Sequence, residues 1–128
     1  MSVTLTYSQS TGNLFNDAGD FVALGWAGNG EGKNNPEMES THNVGPLPRG
    51  LYQVGPWEAT HSGLGPMVAR LIMIDGEKFG RDGFYIHGPA GPHAKHEYGQ
   101  ESEGCIVIPR TGREYVKKMN PEFVRVVG

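Results

Sequence analysis

The sequence predicts a mainly β fold with one short helix in its C-terminal half. Short apolar runs recur along the chain between turn-forming segments, and the 128 residues include 20 Gly and 9 Pro with no repeat period. This combination is typical of many short strands joined by tight turns. The length is close to the commonest size of one domain, and no linker divides it, so we expect a single domain over residues 1–128.

The expected strands follow the apolar runs. Alternation with period two predicts the first strand, and runs bounded by turn-forming residues predict the others. They cover 3–9, 14–15, 21–24, 51–54, 67–74, 84–87, 106–108 and 123–127. Gly55-Pro56 is expected to end the fourth strand, and 60–66 is expected to be a loop. The run 67–74 is also compatible with a helix. Residues 25–43, rich in Gly and Asn, are expected to form a long ordered loop, and loops of this length are often functional.

One helix is predicted at 111–119. Thr111 can serve as its N-cap, and Glu114, three residues later, completes a capping-box pattern. Asn120-Pro121 is expected to end this helix. Its apolar face is expected to consist of Tyr115, Val116 and Met119.

Charge and hydropathy exclude several classes of protein. The net charge is −3 and the basic residues are scattered, so the sequence carries no electrostatic footprint for nucleic acid. No apolar run approaches the 18 residues of a membrane span. The N-terminus lacks a basic region followed by an apolar one, so we expect synthesis in the cytoplasm without a signal peptide. The single Cys excludes an internal disulfide framework.

The stretch 80–110 holds the residues with the strongest chemistry. It contains the only cysteine, Cys105, and three of the five histidines. His87 ends one short apolar run and Cys105 opens another, so a thiol and an imidazole at facing strand ends can form a nucleophile–base pair. A lone Cys is usually either a buried small hydrophobic residue or a nucleophile. The residues around Cys105 favour the nucleophile.

Gly104 is the residue that most favours this interpretation. A Gly directly before a nucleophile allows a sharp turn and close approach of a substrate carbonyl. The backbone N–H groups of Gly104 and Cys105 can then form an oxyanion hole. Ser102 and Glu103, which precede Gly104, are expected to support this turn.

The spacing from His87 to Ser102-Glu103-Gly104-Cys105 resembles the signature of the L,D-transpeptidases, cysteine enzymes that act on peptidoglycan stem peptides. Ile86-His87-Gly88 is similar to the histidine segment of that family, and 48–52 is similar to its Pro-x-Gly-x-aromatic segment. The segments 6–12 and 28–36 extend the similarity to the small L,D-transpeptidase-like effectors that type VI secretion systems deliver into rival bacteria.

This resemblance implies a compact β-sandwich or barrel and a ping-pong reaction without a cofactor. Cys105 would attack the carbonyl of the L-centre of meso-diaminopimelate in a tetrapeptide stem, and D-Ala would leave. His87 would act first as base and then as acid. Water as acceptor gives an L,D-carboxypeptidase, a second amine gives cross-linking, and a free D-amino acid gives exchange. A backbone carbonyl near Gly88 would orient His87, and Glu103, where the wider family has His, is a second candidate for that role.

The resemblance also implies partners and a place of action. The substrate would be a peptidoglycan stem peptide in the periplasm of a target cell. A cognate immunity protein and a component of the secretion machine are further expected partners. No nucleic acid and no membrane span are expected.

Further residues are expected to contact the substrate, although their sequence signals are weaker. These are Lys33, Asn34, Arg110 and His96. His93 and His96 form His-x-x-His, so a zinc site with His87 and Cys105 is an alternative. A lid position for the two is the preferred interpretation. His42 and His61 are expected at the surface of loops. Two other functions stay open: a cell-wall-binding module without catalysis, and a zinc-dependent peptidoglycan hydrolase.

Overall fold

The computed structural model describes residues 3–61, 63–89 and 102–128. The regular elements within these ranges are β1 Thr4–Ser8, β2 Asn13–Phe15, β3 Phe21–Leu24, β4 Trp26–Ala27, β5 Gly50–His61, β6 Gly65–Gly76, β7 Phe84–His87, β8 Ile106–Val107, α1 Arg110–Met119 and β9 Phe123–Val127. The predicted mainly β fold with one α-helix is confirmed. At 10 residues, α1 is the longest helix of this part of the chain, and no described helix is long and apolar enough to cross a membrane.

The described strands form one sheet that curves back on itself. Their order is β3-β2-β1-β9-β5-β6-β7-β8-β4, with β1–β9 and β7–β8 parallel and the other pairs antiparallel. The two ends of this order, β3 and β4, are separated in the chain by Gly25 alone. The accumulated twist of the sheet therefore has to bring its first and last strands together. A β-carbon on Gly25 would lie 2.3 Å from the carbonyl oxygen of Val107, so the two ends meet closely.

The core lies on the concave face of this sheet, where alternate residues of the strands point inward. Val116 of α1 is fully buried against the same cluster. The largest fully buried side chains include Tyr7, Tyr52, Leu5, Leu14, Leu47, Leu71, Ile86, Ile106 and Ile108. Ile86 and Ile106 are register partners in the core, so they anchor β7, which carries His87, and β8, which directly follows Cys105.

The central hairpin is longer than the sequence predicts. Gly55-Pro56 does not end β5; the register with β6 shifts between Val54 and Trp57, so the two residues lie in a β-bulge. A bulge accommodates proline, which has no N–H for the ladder. The expected loop at 60–66 is therefore wrong, because β5 continues to His61 and β6 starts at Gly65. The helical alternative for 67–74 is also excluded.

The segment 25–43 contains more regular structure than the predicted long loop. Trp26 and Ala27 form β4 and pair with β8, and two short 3₁₀ helices follow at Gly30–Gly32 and Pro36–Met38. The segment therefore begins as a sheet strand directly beside the strand that follows Cys105. Its glycines and asparagines explain why alternation does not reveal this strand.

The predicted capping box of α1 is wrong. The helix begins at Arg110, its N-cap is Pro109, and no side chain of the described residues caps it. Glu114 instead pairs with Arg110 one turn earlier, at 3.1 Å. The buried face is also different, because Tyr115 is 51% exposed while Arg113 is buried beside Val116. The predicted end is confirmed, since Asn120 adopts the left-handed conformation (φ 52°) at the C-cap.

Candidate active site

His87 ends β7, and Cys105 immediately precedes β8, the parallel strand beside it. In the register of β7 and β8, His87 is opposite Val107, and Ile86 is opposite Ile106. Cys105 immediately precedes β8, so its register neighbour is Tyr85, and it lies about 7 Å along the strand direction from the level of His87. The two residues are therefore diagonal neighbours rather than directly facing strand ends. Because side chains alternate, Tyr85 and His87 project from the face opposite to the core residue Ile86.

The ring of His87 is oriented by the backbone. Its Nδ1 lies 2.8 Å from the carbonyl oxygen of Gly88, which is the contact that the resemblance implied. A carbonyl oxygen only accepts, so Nδ1 carries the proton and Nε2 holds the lone pair of a neutral ring. His87 is only 4% exposed, so packing also restricts the ring. Glu103 is the alternative orienting group, but its side chain is exposed. Within the described residues its hydrogen bond is made by its backbone carbonyl, which accepts from Arg81.

Ser102 holds the turn that carries Cys105. Its buried hydroxyl donates to the Cys105 carbonyl at 2.6 Å and accepts from the N–H groups of Gly28 at 2.9 Å and Gly104 at 3.1 Å. Its carbonyl oxygen accepts from the Asn29 amide at 2.7 Å. Ser102 thus ties the 102–105 turn to the loop that follows β4, and Asn29 is a supporting residue that motif analysis did not single out.

Gly104 occupies a position that excludes any side chain. Its φ is +131°, and a β-carbon there would lie 2.6 Å from Phe84 Cε1 and 2.7 Å from Arg81 Nη2. Its N–H donates to Ser102, so one of the two N–H groups expected for the oxyanion hole is engaged inside the turn. The N–H of Cys105 is the other one. The N–H of Tyr85, 3.3 Å from the Cys105 sulfur, is an additional donor at this position.

Burial dominates the electrostatics of the thiol. It raises the pKa of Cys105 to about 11, and the negative charge of Glu103 raises it further. The N–H groups of Tyr85 and Cys105 and the positive charge of Arg81 act in the opposite direction but are weaker than burial. Cys105 is therefore a thiol at neutral pH, and a base must remove its proton when it attacks.

Two buried arginines contact the backbone next to Cys105 and next to His87, and the sequence analysis did not predict either of them. Arg81 donates to four backbone carbonyls, including that of Glu103 at 3.1 Å. Arg113 donates to the carbonyls of Ile108, Pro66 and Met67. Its guanidinium packs against Gly88, because a β-carbon on Gly88 would lie only 2.4 Å from Arg113 Nη2. Charged residues in a turn or on a helix are normally exposed, so the sequence offered no signal for either burial.

Three of the residues that are predicted to contact substrate make contacts of their own in the described part of the chain. Lys33 Nζ lies over the ring of Trp26, 4.9 Å from its centre. Asn34 adopts φ +52° and its side-chain oxygen accepts from Ala27 N at 3.1 Å, so it shapes the end of β4. Arg110 is exposed on α1 and pairs with Glu114. None of these contacts involves the Cys105 turn. His96 and His93 lie outside the described residues.

His61 is not in a surface loop as expected. It ends β5, and its ring contacts that of Tyr85 with 4.9 Å between centres at 62°. Its Nδ1 is buried and has no hydrogen-bond partner among the residues that the structure describes. His42 is exposed, as expected, and its Nε2 lies 2.9 Å from the carbonyl of Phe79.

Metal binding finds no support among the residues that the structure describes. Within residues 3–61, 63–89 and 102–128, no group of three or more His, Cys, Asp or Glu is arranged to hold a metal ion.

The fold is that of the L,D-transpeptidases. An L,D-transpeptidase from Mycobacterium tuberculosis H37Rv superposes with a TM-score of 0.59 at 20% identity, over 99% of this chain and 58% of that one. L,D-transpeptidase 3 from M. tuberculosis gives 0.58 at 17%, over 99% and 61%. The L,D-transpeptidase from Mycobacterium smegmatis gives 0.57 at 14%, over 99% and 59%. This chain therefore spans about three fifths of each of these proteins.

The sequence also identifies a family within this fold. The model of the Tlde1 domain matches residues 22–126, and the chain belongs to this family. The resemblance to the small L,D-transpeptidase-like effector branch is confirmed. No protein with curated annotation matches the chain in sequence.

Proposed function

We propose that this protein is a cysteine-dependent L,D-carboxypeptidase and L,D-transpeptidase that acts on the tetrapeptide stems of peptidoglycan as one catalytic domain over 1–128. Membership of the Tlde1 family and the L,D-transpeptidase fold support action on peptidoglycan. The observation that carries the finer assignment is the geometry of His87. Its Nδ1 is fixed on the Gly88 carbonyl, on the strand beside Cys105, so Nε2 holds the lone pair that a general base needs.

The first half-reaction forms a thioester. His87 Nε2 takes the proton of the Cys105 thiol as the sulfur attacks the carbonyl carbon of the L-centre of meso-diaminopimelate. The oxyanion of the tetrahedral intermediate accepts from the N–H of Cys105, with the N–H of Tyr85 close to the same sulfur. The C–N bond to D-Ala then breaks, and His87 returns its proton to the leaving amine.

The second half-reaction releases the enzyme. His87 takes a proton from the acceptor, which attacks the thioester, and the sulfur leaves and is protonated again. Water yields a tripeptide stem, a free D-amino acid yields an exchanged stem, and the amine of a second stem yields a cross-link. We place hydrolysis first, since trimmed stems no longer serve as donors for cross-linking. The charges of Glu103 and Arg81 shift the pKa of Cys105 in opposite directions, but neither residue takes a proton in this scheme.

The proposed biological role is that of an antibacterial effector. The chain would be made in the cytoplasm, delivered by a type VI secretion system and active in the periplasm of a target cell. A cognate immunity protein that covers the Cys105 site and a component of the secretion machine would be its partners. Membership of the Tlde1 family supports this role.

The test uses purified disaccharide-tetrapeptide and the mass of the product. We expect loss of one alanine with the wild type and no loss with Cys105→Ala or His87→Ala. His42→Ala is the matched control, because His42 is exposed and contacts Phe79 rather than the Cys105 turn. Turnover that persists in Cys105→Ala would contradict the proposal. Turnover abolished by a chelator would point to a zinc hydrolase, and sacculus binding without turnover would point to a wall-binding module.

A further inference from the structure

Arg81 is a buried cation, and its hydrogen bonds within the described residues go to backbone carbonyls. It is 4% exposed, and its Nη1 donates to the carbonyls of Glu39 at 2.6 Å and Pro46 at 2.7 Å. Its Nη2 donates to the carbonyls of Gly45 at 3.0 Å and Glu103 at 3.1 Å. Within the described residues, no carboxylate oxygen is hydrogen-bonded to it. One guanidinium therefore joins the 39–46 loop to the turn that carries the nucleophile.

A cation in this position needs a physical reason. Burial disfavours the charged form and lowers the pKa of Arg81, although the side chain stays protonated. An apolar side chain would fill the same space without this cost. The Phe84 ring, 5.3 Å from the guanidinium carbon, offers a cation–π contact but does not replace a carboxylate. The charge and the forked shape of the guanidinium are therefore the properties that distinguish it here.

Both properties act on the Cys105 turn. Glu103, whose carbonyl Arg81 holds, is two residues before the sulfur, and Gly104 is enclosed between Arg81 and Phe84. The residue that directly follows this loop also contacts the turn, since Leu47 N donates to the Gly104 carbonyl at 2.9 Å. Removing the fork would leave that single bond to keep the backbone of the turn against the loop.

We propose that Arg81 is the positioning residue of the nucleophile: its fork fixes the Glu103–Cys105 backbone, and its charge stabilises the thiolate as it forms. This inference rests on the proposed function only for its effect on turnover. Its effect on the sulfur itself is independent of any substrate. It goes beyond the His87–Cys105 pair because Arg81 acts through the backbone and the field at Cys105 and exchanges no proton.

The experiment compares Arg81→Lys and Arg81→Gln with the wild type, with Arg49→Gln as the control. Arg49 binds the Glu39 side chain of the same loop but makes no contact with the turn. Two quantities are measured on the full chain well below each melting temperature: the pH midpoint of Cys105 alkylation by iodoacetamide, and kcat and KM on disaccharide-tetrapeptide. Among the described residues near Cys105, Glu103 of the turn and Tyr85 and His87 of β7 are unchanged in all variants.

The two substitutions separate charge from shape. We expect Arg81→Gln to move the alkylation midpoint upward, because a nearby positive charge favours the thiolate. We expect Arg81→Lys to keep the wild-type midpoint, because it keeps the charge. Both should lower kcat about 100-fold with KM little changed, because neither side chain restores the fork. Arg49→Gln should match the wild type in both measurements.

Other results would overturn the inference. If Arg81→Gln folds and keeps the wild-type alkylation midpoint and kcat, neither the fork nor the charge of Arg81 has the proposed role. Losses that follow only the unfolded fraction, measured by circular dichroism, would make Arg81 a purely structural residue. If Arg81→Gln does not fold, Arg81→Lys decides, and a wild-type kcat in that variant would refute the role of the fork. A wild type without turnover would defeat the proposed function, while the alkylation midpoints would still decide the role of the charge.

Discussion

The raised pKa of Cys105 gives a quantitative prediction for high pH. The folded protein holds the thiol proton up to a pKa of about 11, against an ordinary value of 9.0. The free energy of unfolding therefore contains a contribution that is complete below pH 9 and is lost as the pH rises towards 11. Two pKa units correspond to about 2.7 kcal/mol, and about 1.4 kcal/mol of this should be lost at pH 10.

The assay is urea denaturation of the wild type and Cys105→Ser at pH 8, 9, 10 and 11. The buried tyrosines Tyr7 and Tyr52 also have raised pKa values and weaken the fold in the same direction, so the wild-type curve alone does not isolate the thiol. The difference in free energy of unfolding between the two proteins isolates the thiol, because the serine hydroxyl does not titrate in this range. We expect that difference to fall by about 2–3 kcal/mol from pH 8 to pH 11.

Alkylation offers an independent check of the same pKa. At pH 8 a thiol with a pKa near 11 has about 100-fold less thiolate than an ordinary one, and iodoacetamide should react correspondingly slowly. An alkylation midpoint at or below pH 8, together with a flat stability difference, would refute this reasoning. It would mean that Cys105 and His87 form an ion pair in the resting protein. In that case His87→Ala would raise the midpoint, whereas we expect it to leave the midpoint unchanged.

Three further predictions concern the turn and the helix. Gly104→Ala should lower the free energy of unfolding by at least about 2 kcal/mol in urea denaturation, because the new methyl group would clash with Phe84 and Arg81 at a positive φ. Gly19→Ala is the control: its φ is +83° but its surroundings are open, so it should cost about 1 kcal/mol. Ser102→Ala leaves two N–H donors without their acceptor, so it should lower stability by about 1–3 kcal/mol and abolish turnover; normal turnover would contradict the role given to the turn. Arg110→Ala breaks an exposed pair, so the melting temperature should stay near wild type, and the KM measured with this variant tests the predicted role of Arg110 in substrate binding: a large rise would support that role, and an unchanged KM would contradict it.

Much of the β framework and the central pair could be predicted from local sequence. The runs at 84–87 and 123–127 became strands at the predicted residues, because apolar and β-branched side chains at this spacing fit a buried strand. The apolar runs at His87 and after Cys105 predicted two paired strands, and His87 does end β7, whereas Cys105 immediately precedes the parallel strand β8. The start of α1 and the continuation of β5 through Gly55-Pro56 were missed, since neighbouring strands and packing override local capping and turn signals there.

What the sequence by itself determined is therefore the class of fold, the family motifs and the identity of the candidate nucleophile and base. Only the tertiary structure decided how these two are supported. Arg81 reaches carbonyls as far as 42 residues away, and Ser102 accepts from an N–H 74 residues away. The physical reason is that a buried polar group is stabilised by whichever backbone groups folding brings beside it, and those partners leave no periodic or short-range trace in the chain.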